Sequence, residues 1–209
     1  MSAWKPLPVS FYRRPAETVA RDLLGRYLVR RLDGRRLAVR LVEVEAYLGA
    51  PDAASHAAGG HRSARVESLY LPGGHAYVYL IYGIHHCLNA VTGDPEVGSA
   101  VLLRAGEPVD GEAAMRAHRG FEGGDEGHRV KPGDVAGGPG KLCQALAVDR
   151  ALDGAALYRG ELTIAAGEPV AAEAIAAGPR VGVDYAGEAA AWPLRFAVAG
   201  HRHVSRPRL

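Results

Sequence analysis

Two acids and a phenol alternate at Glu43, Glu45 and Tyr47, and a histidine follows at His56, in the segment VEVEAYLGAPDAASH. Three tyrosines, Tyr77, Tyr79 and Tyr82, then crowd the run AYVYLIYG from Ala76 to Gly83. A carboxylate at a strand end can activate water. Tyrosines with free ring faces can stack a nucleobase, and histidine can read donors or acceptors on its edge. Each residue also has a plain alternative. Either acid is equally at home on the surface, strand tyrosines commonly pack on a sheet, and a loop histidine is commonly solvated. Residue types alone do not choose between Glu43 and Glu45.

The elements that must position these groups follow from periodicity. Pro15, with Ala16, Val19, Ala20, Leu23 and Leu24 at helical spacing before Gly25, predicts a short amphipathic helix. Tyr27 to Leu32 and Arg36 to Tyr47 predict a hairpin around Asp33 and Gly34, with Glu43, Glu45 and Tyr47 on one face. Ala76 to Tyr82 reads as another strand. The two-residue period sends Tyr77, Tyr79 and Ile81 one way and Val78, Leu80 and Tyr82 the other. Ala100 to Arg104 reads as a strand with Leu102 and Arg104 on one face, 120–140 as a flexible Gly-rich loop, and Lys141 to Val148 as a helix. Further short strands are expected at Leu162 to Ala165, Arg180 to Val183 and Leu194 to Val198. Hairpin strands with few intervening helices point to α+β with an antiparallel or mixed sheet.

Length and charge narrow the class. A chain of 209 residues fits one domain with its own core, and the absence of a long apolar run or leader-like segment predicts a soluble, cytoplasmic protein with no membrane association. Cys87 and Cys143, lacking CxxC partners, are expected to be reduced thiols. The net charge is only +2, yet residues 1–40 hold ten Lys/Arg against three acids (+7) and residues 41–110 hold three arginines against eight acids (−5). Such asymmetry fits a polyanion-binding face beside a carboxylate-bearing site, or simply a solvated arginine-rich surface.

Several ordered segments together resemble the alkyladenine (3-methyladenine) DNA glycosylase family from about Pro15 to Ser205. They are EVEAYLG at Glu43–Gly49, DAASH at Asp52–His56, PGGHAYVYLIYG at Pro72–Gly83, CLN at Cys87–Asn89, AVLLRAGEP at Ala100–Pro108, GPGKLCQAL at Gly138–Leu146, and PLRF at Pro193–Phe196 with Val204 and Ser205. The resemblance implies Glu45 as catalytic base and Arg104 as the arginine that helps hold the attacking water. It implies Tyr47, His56 and Tyr79 as the pocket for a flipped base, with Asn89 excluding guanine by crowding its 2-amino group. It implies Tyr82 as the wedge that fills the gap in the duplex, and Arg65 and Lys141 as backbone-contacting residues. The chain departs from the family's Thr-x-Arg-Asn pattern, carrying Ser63, Ala64, Arg65 and Val66, and its His85 and His86 match no family role. The expected activity is base release from duplex DNA by a monomer without cofactor or metal. Strand cleavage is not expected, because Lys5, Lys131 and Lys141 are the only lysines and none falls in the pocket motifs.

Two other classes compete. Nine histidines, five of them at positions 56, 61, 75, 85 and 86 with Cys87 beside them, suggest a metal-dependent hydrolase, but no HExxH or paired CxxC spacing supports it. A silent nucleic-acid-binding domain could use the arginines and tyrosines, but has no use for both Glu45 and Arg104. The expected fold is α+β: a single domain with a mixed, largely antiparallel β-sheet, flanking helices and a protruding β-hairpin.

Overall fold

In the computed structural model, which describes residues 4–121 and 130–209, Asp33 and Gly34 both take left-handed backbone angles (φ 50° and 72°). They fold β1 (Tyr27–Leu32) back on β2 (Arg35–Tyr47) as an antiparallel hairpin. Two helices precede it: α1 (Val9–Tyr12) and α2 (Ala16–Leu23), the latter starting after Pro15 as its sequence predicts. The remaining strands are β3 (Ala76–Ile81), β4 (His85–Thr92), β5 (Ser99–Asp110), β6 (Leu162–Ala165), β7 (Ile175–Gly178) and β8 (Arg195–Val198). They form one sheet of order β3-β4-β5-β2-β1-β6, with β8 pairing β2 and β7 pairing β8. Every pairing among the described residues is antiparallel, so the sheet is not mixed. Helices α3 (Glu112–His118), α4 (Pro132–Ala136) and α5 (Pro139–Ala145) complete the α+β fold.

The long strand β2 is the spine. Its first half pairs β1, its second half pairs β8, and β5 runs along its other edge. Leu37, Val39 and Leu41 enter the main core with Val19, Leu23 and Leu142 from α2 and α5, and so do Val44 and Ala46. The core-facing positions therefore change from odd to even between Leu41 and Val44. The β2–β5 register slips there: Leu41 faces Gly106, Glu43 faces Ala105 and Val44 faces Leu103, leaving Val42 and Arg104 without partners. This bulge resets the two-residue alternation. Without it Glu43 and Glu45 would follow Leu41 into the apolar core.

Several boundaries differ from the sequence reading, each for a local reason. β4 and its pairing with β3 were not anticipated, because His85-His86 lacks a strand signal. β5 runs to Asp110, well past the expected Arg104. The strand expected at Arg180 to Val183 is absent; β7 stops at Gly178, since Pro179 has no N–H to continue the ladder. Within the expected 120–140 loop, residues 122–129 lie outside the described residues. The rest is partly helical, because Pro132 and Pro139 occupy first-turn positions where proline is favoured, and Asp134 accepts from the Lys131 N–H at 2.8 Å. The helix expected from Lys141 accordingly begins two residues earlier. No helix among the described residues is long and apolar enough to cross a membrane, and both cysteines are buried and unpaired.

Gly106 lets β2 and β5 approach beside the bulge, since a Cβ there would lie 2.6 and 2.7 Å from Val39 side-chain atoms. Gly106→Ala should lower stability by about 1–3 kcal/mol, the range for overpacking, as measured by urea unfolding; an unchanged midpoint would mean that the bulge tolerates widening.

Candidate active site

The reset strand carries Glu43 and Glu45 into full burial, where an unpaired carboxylate is prohibitively costly. Glu43 is saturated. Its oxygens accept from Arg104 Nε (2.8 Å), Arg195 Nε (2.8 Å), the Ser205 hydroxyl (2.8 Å) and the Ser205 N–H (2.6 Å). Burial pushes its proton affinity up, but Arg104, the Ser205 N–H and Arg195 outweigh that and hold the carboxyl below its ordinary range. Glu45 has a lighter set: Oε1 accepts from the Val181 N–H at 2.8 Å, Oε2 from the Tyr47 hydroxyl at 2.9 Å, and Arg104 Nη1 stands 3.1 Å from Oε1. For Glu45 burial wins over Arg104, and the pKa is raised. Of two acids on one face, one is a saturated counter-ion and the other a less fully bonded, more basic carboxylate.

Above this floor opens a cavity of about 740 Å³. Tyr47, Arg104 and Val181, the three partners of Glu45, all line it, so the carboxylate lies one layer beneath the wall. Tyr79, His56 and Asn89 complete the surrounding wall. His56 Nδ1 is 2.8 Å from the Tyr77 hydroxyl, and its ring meets Tyr79 edge-on at 4.6 Å between centroids. Burial, with Arg65 and His61 nearby, lowers the His56 pKa and keeps the imidazole neutral at pH 7. Asn89 Nδ2 donates to the Tyr77 carbonyl at 3.0 Å, which fixes the amide in the wall. Burial also raises the Tyr47, Tyr79 and Cys87 pKa values. This part of the cavity is lined by aromatic faces and neutral polar groups, while Arg104, Arg119 and Lys141 add positive charge elsewhere on its lining.

Tyr82 sits elsewhere than the alternation predicted. β3 ends at Ile81, and Tyr82 occupies the turn to β4 at φ 53°, followed by Gly83 at φ 71°. A left-handed tyrosine is costly unless the fold demands it. Here it leaves the ring 85% exposed at the tip of the hairpin, beside Ile84, while still bordering the cavity. Arg65 is exposed and donates to the Leu80 carbonyl at 3.3 Å, tying its loop to β3. Lys141, outside the pocket motifs in sequence, borders the cavity in the fold; its ammonium contacts the Gly133 carbonyl at 3.3 Å and Asp134 at 3.8 Å. None of residues 4–40 borders the cavity, and Arg14, Arg21, Arg30 and Arg36 are paired with Asp22, Glu17, Glu161 and Asp110. Among the described residues no three His, Cys, Asp or Glu side chains gather as metal ligands. His75 bonds the Pro72 carbonyl instead, and His85 borders the cavity against Gly140.

The family model described as "Methylpurine-DNA glycosylase (MPG)" matches residues 10–202. This chain belongs to the methylpurine-DNA glycosylase family. Two relatives named "Putative 3-methyladenine DNA glycosylase" make the same point. That of Myxococcus xanthus is 46% identical over 200 residues, covering 96% of this chain and 93% of the relative, and that of Methanocella arvoryzae is 49% identical over 191 residues, covering 91% and 90%. A third of the same name, from Desulfitobacterium hafniense, is 41% identical over 204 residues, 96% of this chain and 98% of its own length.

For a methylpurine-DNA glycosylase the site contains more than the sequence motifs offered. Arg180 is fully buried, forks onto both oxygens of Asp52, and stands 4.7 Å from the Tyr47 ring centroid. It also donates to the Ala46 and Ala189 carbonyls, and Asp52 accepts from the Leu48 and Ala54 N–H groups. One ion pair thus joins the Tyr47 strand end, the His56 loop and the segment that presents Val181. Asp52 stood in a matched motif, whereas Arg180 gave no signal beyond its charge. Tyr77, Arg195 and Ser205 were likewise visible as residues but not as partners.

Burial raises the Asp52 pKa, but Arg180 and the backbone N–H groups more than reverse this, so the carboxyl is held below its ordinary value. A depressed folded-state pKa stabilises the protein above the ordinary carboxylate range and loses that contribution as pH falls through the depressed value. Glu43 acts in the same sense, and Glu45, whose pKa is raised, in the opposite one. Asp52→Asn should therefore flatten the acid limb of stability in urea unfolding run across pH. At neutral pH it should cost about 3–5 kcal/mol, the range for stranding one partner of a buried pair; an acid limb as steep as wild type would disprove the role given to Asp52.

Proposed function

We propose that the protein extrudes an alkylated purine from duplex DNA into the cavity and hydrolyses its bond to the sugar, acting as a monomer with water as the only co-reactant. The observation that carries this reading is the buried Glu45, ion-paired to Arg104 and topped by a cavity walled by Tyr47, Tyr79 and His56. Extrusion costs a few kcal/mol. The exposed Tyr82 offsets part of that cost by filling the vacated stack. An N-alkylated purine carries positive charge and is a good leaving group. Stacking on Tyr47 and Tyr79, with edge contacts from His56 and Asn89, then suffices to hold it while Glu45 takes a proton from water and Arg104 steadies the attacking oxygen. Asn89, fixed by the Tyr77 carbonyl, crowds the 2-amino group of guanine and keeps the normal base out. Hypoxanthine and ethenoadenine are neutral and need protonation as they leave; both are included as substrates of this reading.

Base release is proposed to occur without strand cleavage. Among the described residues the lysine that borders the cavity, Lys141, is engaged by Gly133 and Asp134, and a Schiff base needs a free, uncharged amine. Lys141 and Arg65 are instead assigned to the DNA backbone. The setting is the cytoplasm, at the chromosome.

Incubation of duplexes carrying one methylated purine, hypoxanthine or ethenoadenine, followed by chromatography of released base, tests the reading. Glu45→Gln keeps the side chain's shape but removes its ability to accept a proton. Single-turnover release should fall by roughly 10²–10⁴-fold, the usual worth of a positioned base, with damaged-duplex affinity nearly unchanged. A Glu45→Gln protein as fast as wild type would refute the assignment.

Tyr82→Ser should weaken binding to damaged duplex by about 1–3 kcal/mol, the worth of one aromatic stack. Its folding should be unaffected, since the ring makes little contact with the rest of the protein. Equal affinity in a fluorescence-anisotropy titration would remove Tyr82 from the wedge role.

A further inference from the structure

Arg104 is shared unequally between two carboxylates two residues apart on β2. Its Nε donates to Glu43 at 2.8 Å and its Nη2 to the Ser205 hydroxyl at 3.2 Å. Toward Glu45 it offers only Nη1, at 3.1 Å, as an ion-pair contact rather than an aligned hydrogen bond. This is not how a guanidinium beside a carboxylate ordinarily behaves. Left to itself, the fork closes on both oxygens with two parallel hydrogen bonds. Such closure on Glu45 would occupy the oxygens and lower their basicity, and a general base needs a free lone pair and a proton affinity near the working pH.

What prevents closure is the cradle around Glu43. Arg195 Nε from β8 and the Ser205 hydroxyl from the C-terminal segment converge with Arg104 Nε on Glu43 Oε1, and the Ser205 N–H holds Oε2. The Ser205 hydroxyl both accepts from Arg104 and donates to Glu43, so it locks the two together. We propose that Glu43 and Ser205 are positioning residues that draw Arg104 away from Glu45, leaving Glu45 an oxygen with which to activate water. The inference rests on the reading of Glu45 as the base given above.

The groups that face Glu45 decide the sign of the test. Arg104 from β5, the Val181 N–H and the Tyr47 hydroxyl favour its anion, and Glu43 on its own strand opposes it. The Tyr79 and Cys87 side chains from β3 and β4 are neutral, and the charge of Arg195 is spent on Glu43. Removing the charge of Glu43 ends the opposition and frees Arg104 to close on Glu45. Both changes favour the Glu45 anion and occupy it.

The test is single-turnover release of a methylated purine from duplex across acidic to neutral pH, for wild type, Glu43→Gln, Ser205→Ala and Ser205→Thr. In Glu43→Gln the plateau should fall on the order of tenfold, short of the loss from removing the base itself, and the acid limb should move to lower pH. Ser205→Ala should move the limb the same way by less, and Ser205→Thr, which keeps the hydroxyl, should restore it. A merely structural role would lower rate or Tm with the limb in place, and an unmoved or upward-moved limb overturns the proposal. A second measurement serves where Glu43→Gln does not fold or no base is released. The ¹³C carboxyl resonance of Glu45, identified by its absence in Glu45→Gln, is titrated in DNA-free wild type and Ser205→Ala. A lower midpoint in Ser205→Ala supports the proposal and an equal one overturns it. Wild type that releases no base while the midpoint still moves would count against the proposed function alone.

Discussion

Three carboxylates and three guanidinium groups share the buried interior beneath the cavity, and every other feature of the site answers to the need to keep them paired. Glu43, Glu45 and Asp52 are fully buried, and Arg104, Arg180 and Arg195 nearly so. Buried pairs of this kind seldom stabilise a fold relative to apolar residues of the same volume. Under the proposed function their retention is preorganisation, because a charge that develops in a site shielded from bulk solvent meets dipoles already in place. The cost is distributed over the chain. Arg104 comes from 61 residues beyond Glu43, Arg195 from 152 and Ser205 from 162. No local segment can hold this site, and it exists only when the whole sheet has closed.

That long range explains what could be read from the sequence. The Asp33–Gly34 hairpin, α2 and the shared face of Glu43, Glu45 and Tyr47 rest on contacts a few residues apart, and all were legible. The choice between the two acids was not legible from spacing, because it depends on which arginines and backbone N–H groups arrive from β5, β8, the C-terminal segment and Val181. Family motifs supplied the choice, and the geometry shows how far the two acids differ in partners and proton affinity. Arg180 illustrates the other limit. Its role is set by Asp52, 128 residues away, and the strand pattern around it misled because Pro179 ends the ladder. Tyr82 was assigned to a strand face when Gly83 had already turned the chain. The turn is what exposes the ring.

The cavity walls follow a second logic, of neutrality. His56, Tyr47, Tyr79 and Cys87 are all held in uncharged forms by burial. These uncharged groups gather on one part of the wall, while Arg119 and Lys141 bring positive charge to another and Arg104 joins the buried acids at the floor. The acids lie one layer of side chains beneath that wall. Tyr47 belongs to both, with its ring in the wall and its hydroxyl on Glu45.

The bulge between Leu41 and Val44 has a consequence for how such a protein can change over generations. One strand carries two side-chain frames, the first registered on the helices and the second on the cavity, and the slip uncouples them. Substitutions that repack Leu37, Val39 or Leu41 against the helices leave the orientation of the acids untouched, and the cavity can be remodelled without disturbing the packing of the helices. The same slip makes the stretch intolerant of length change. Deleting a single residue there would exchange the two frames, sending carboxylates toward the helices and valines toward the cavity. Drift by substitution is open to this strand, and drift by insertion or deletion is closed.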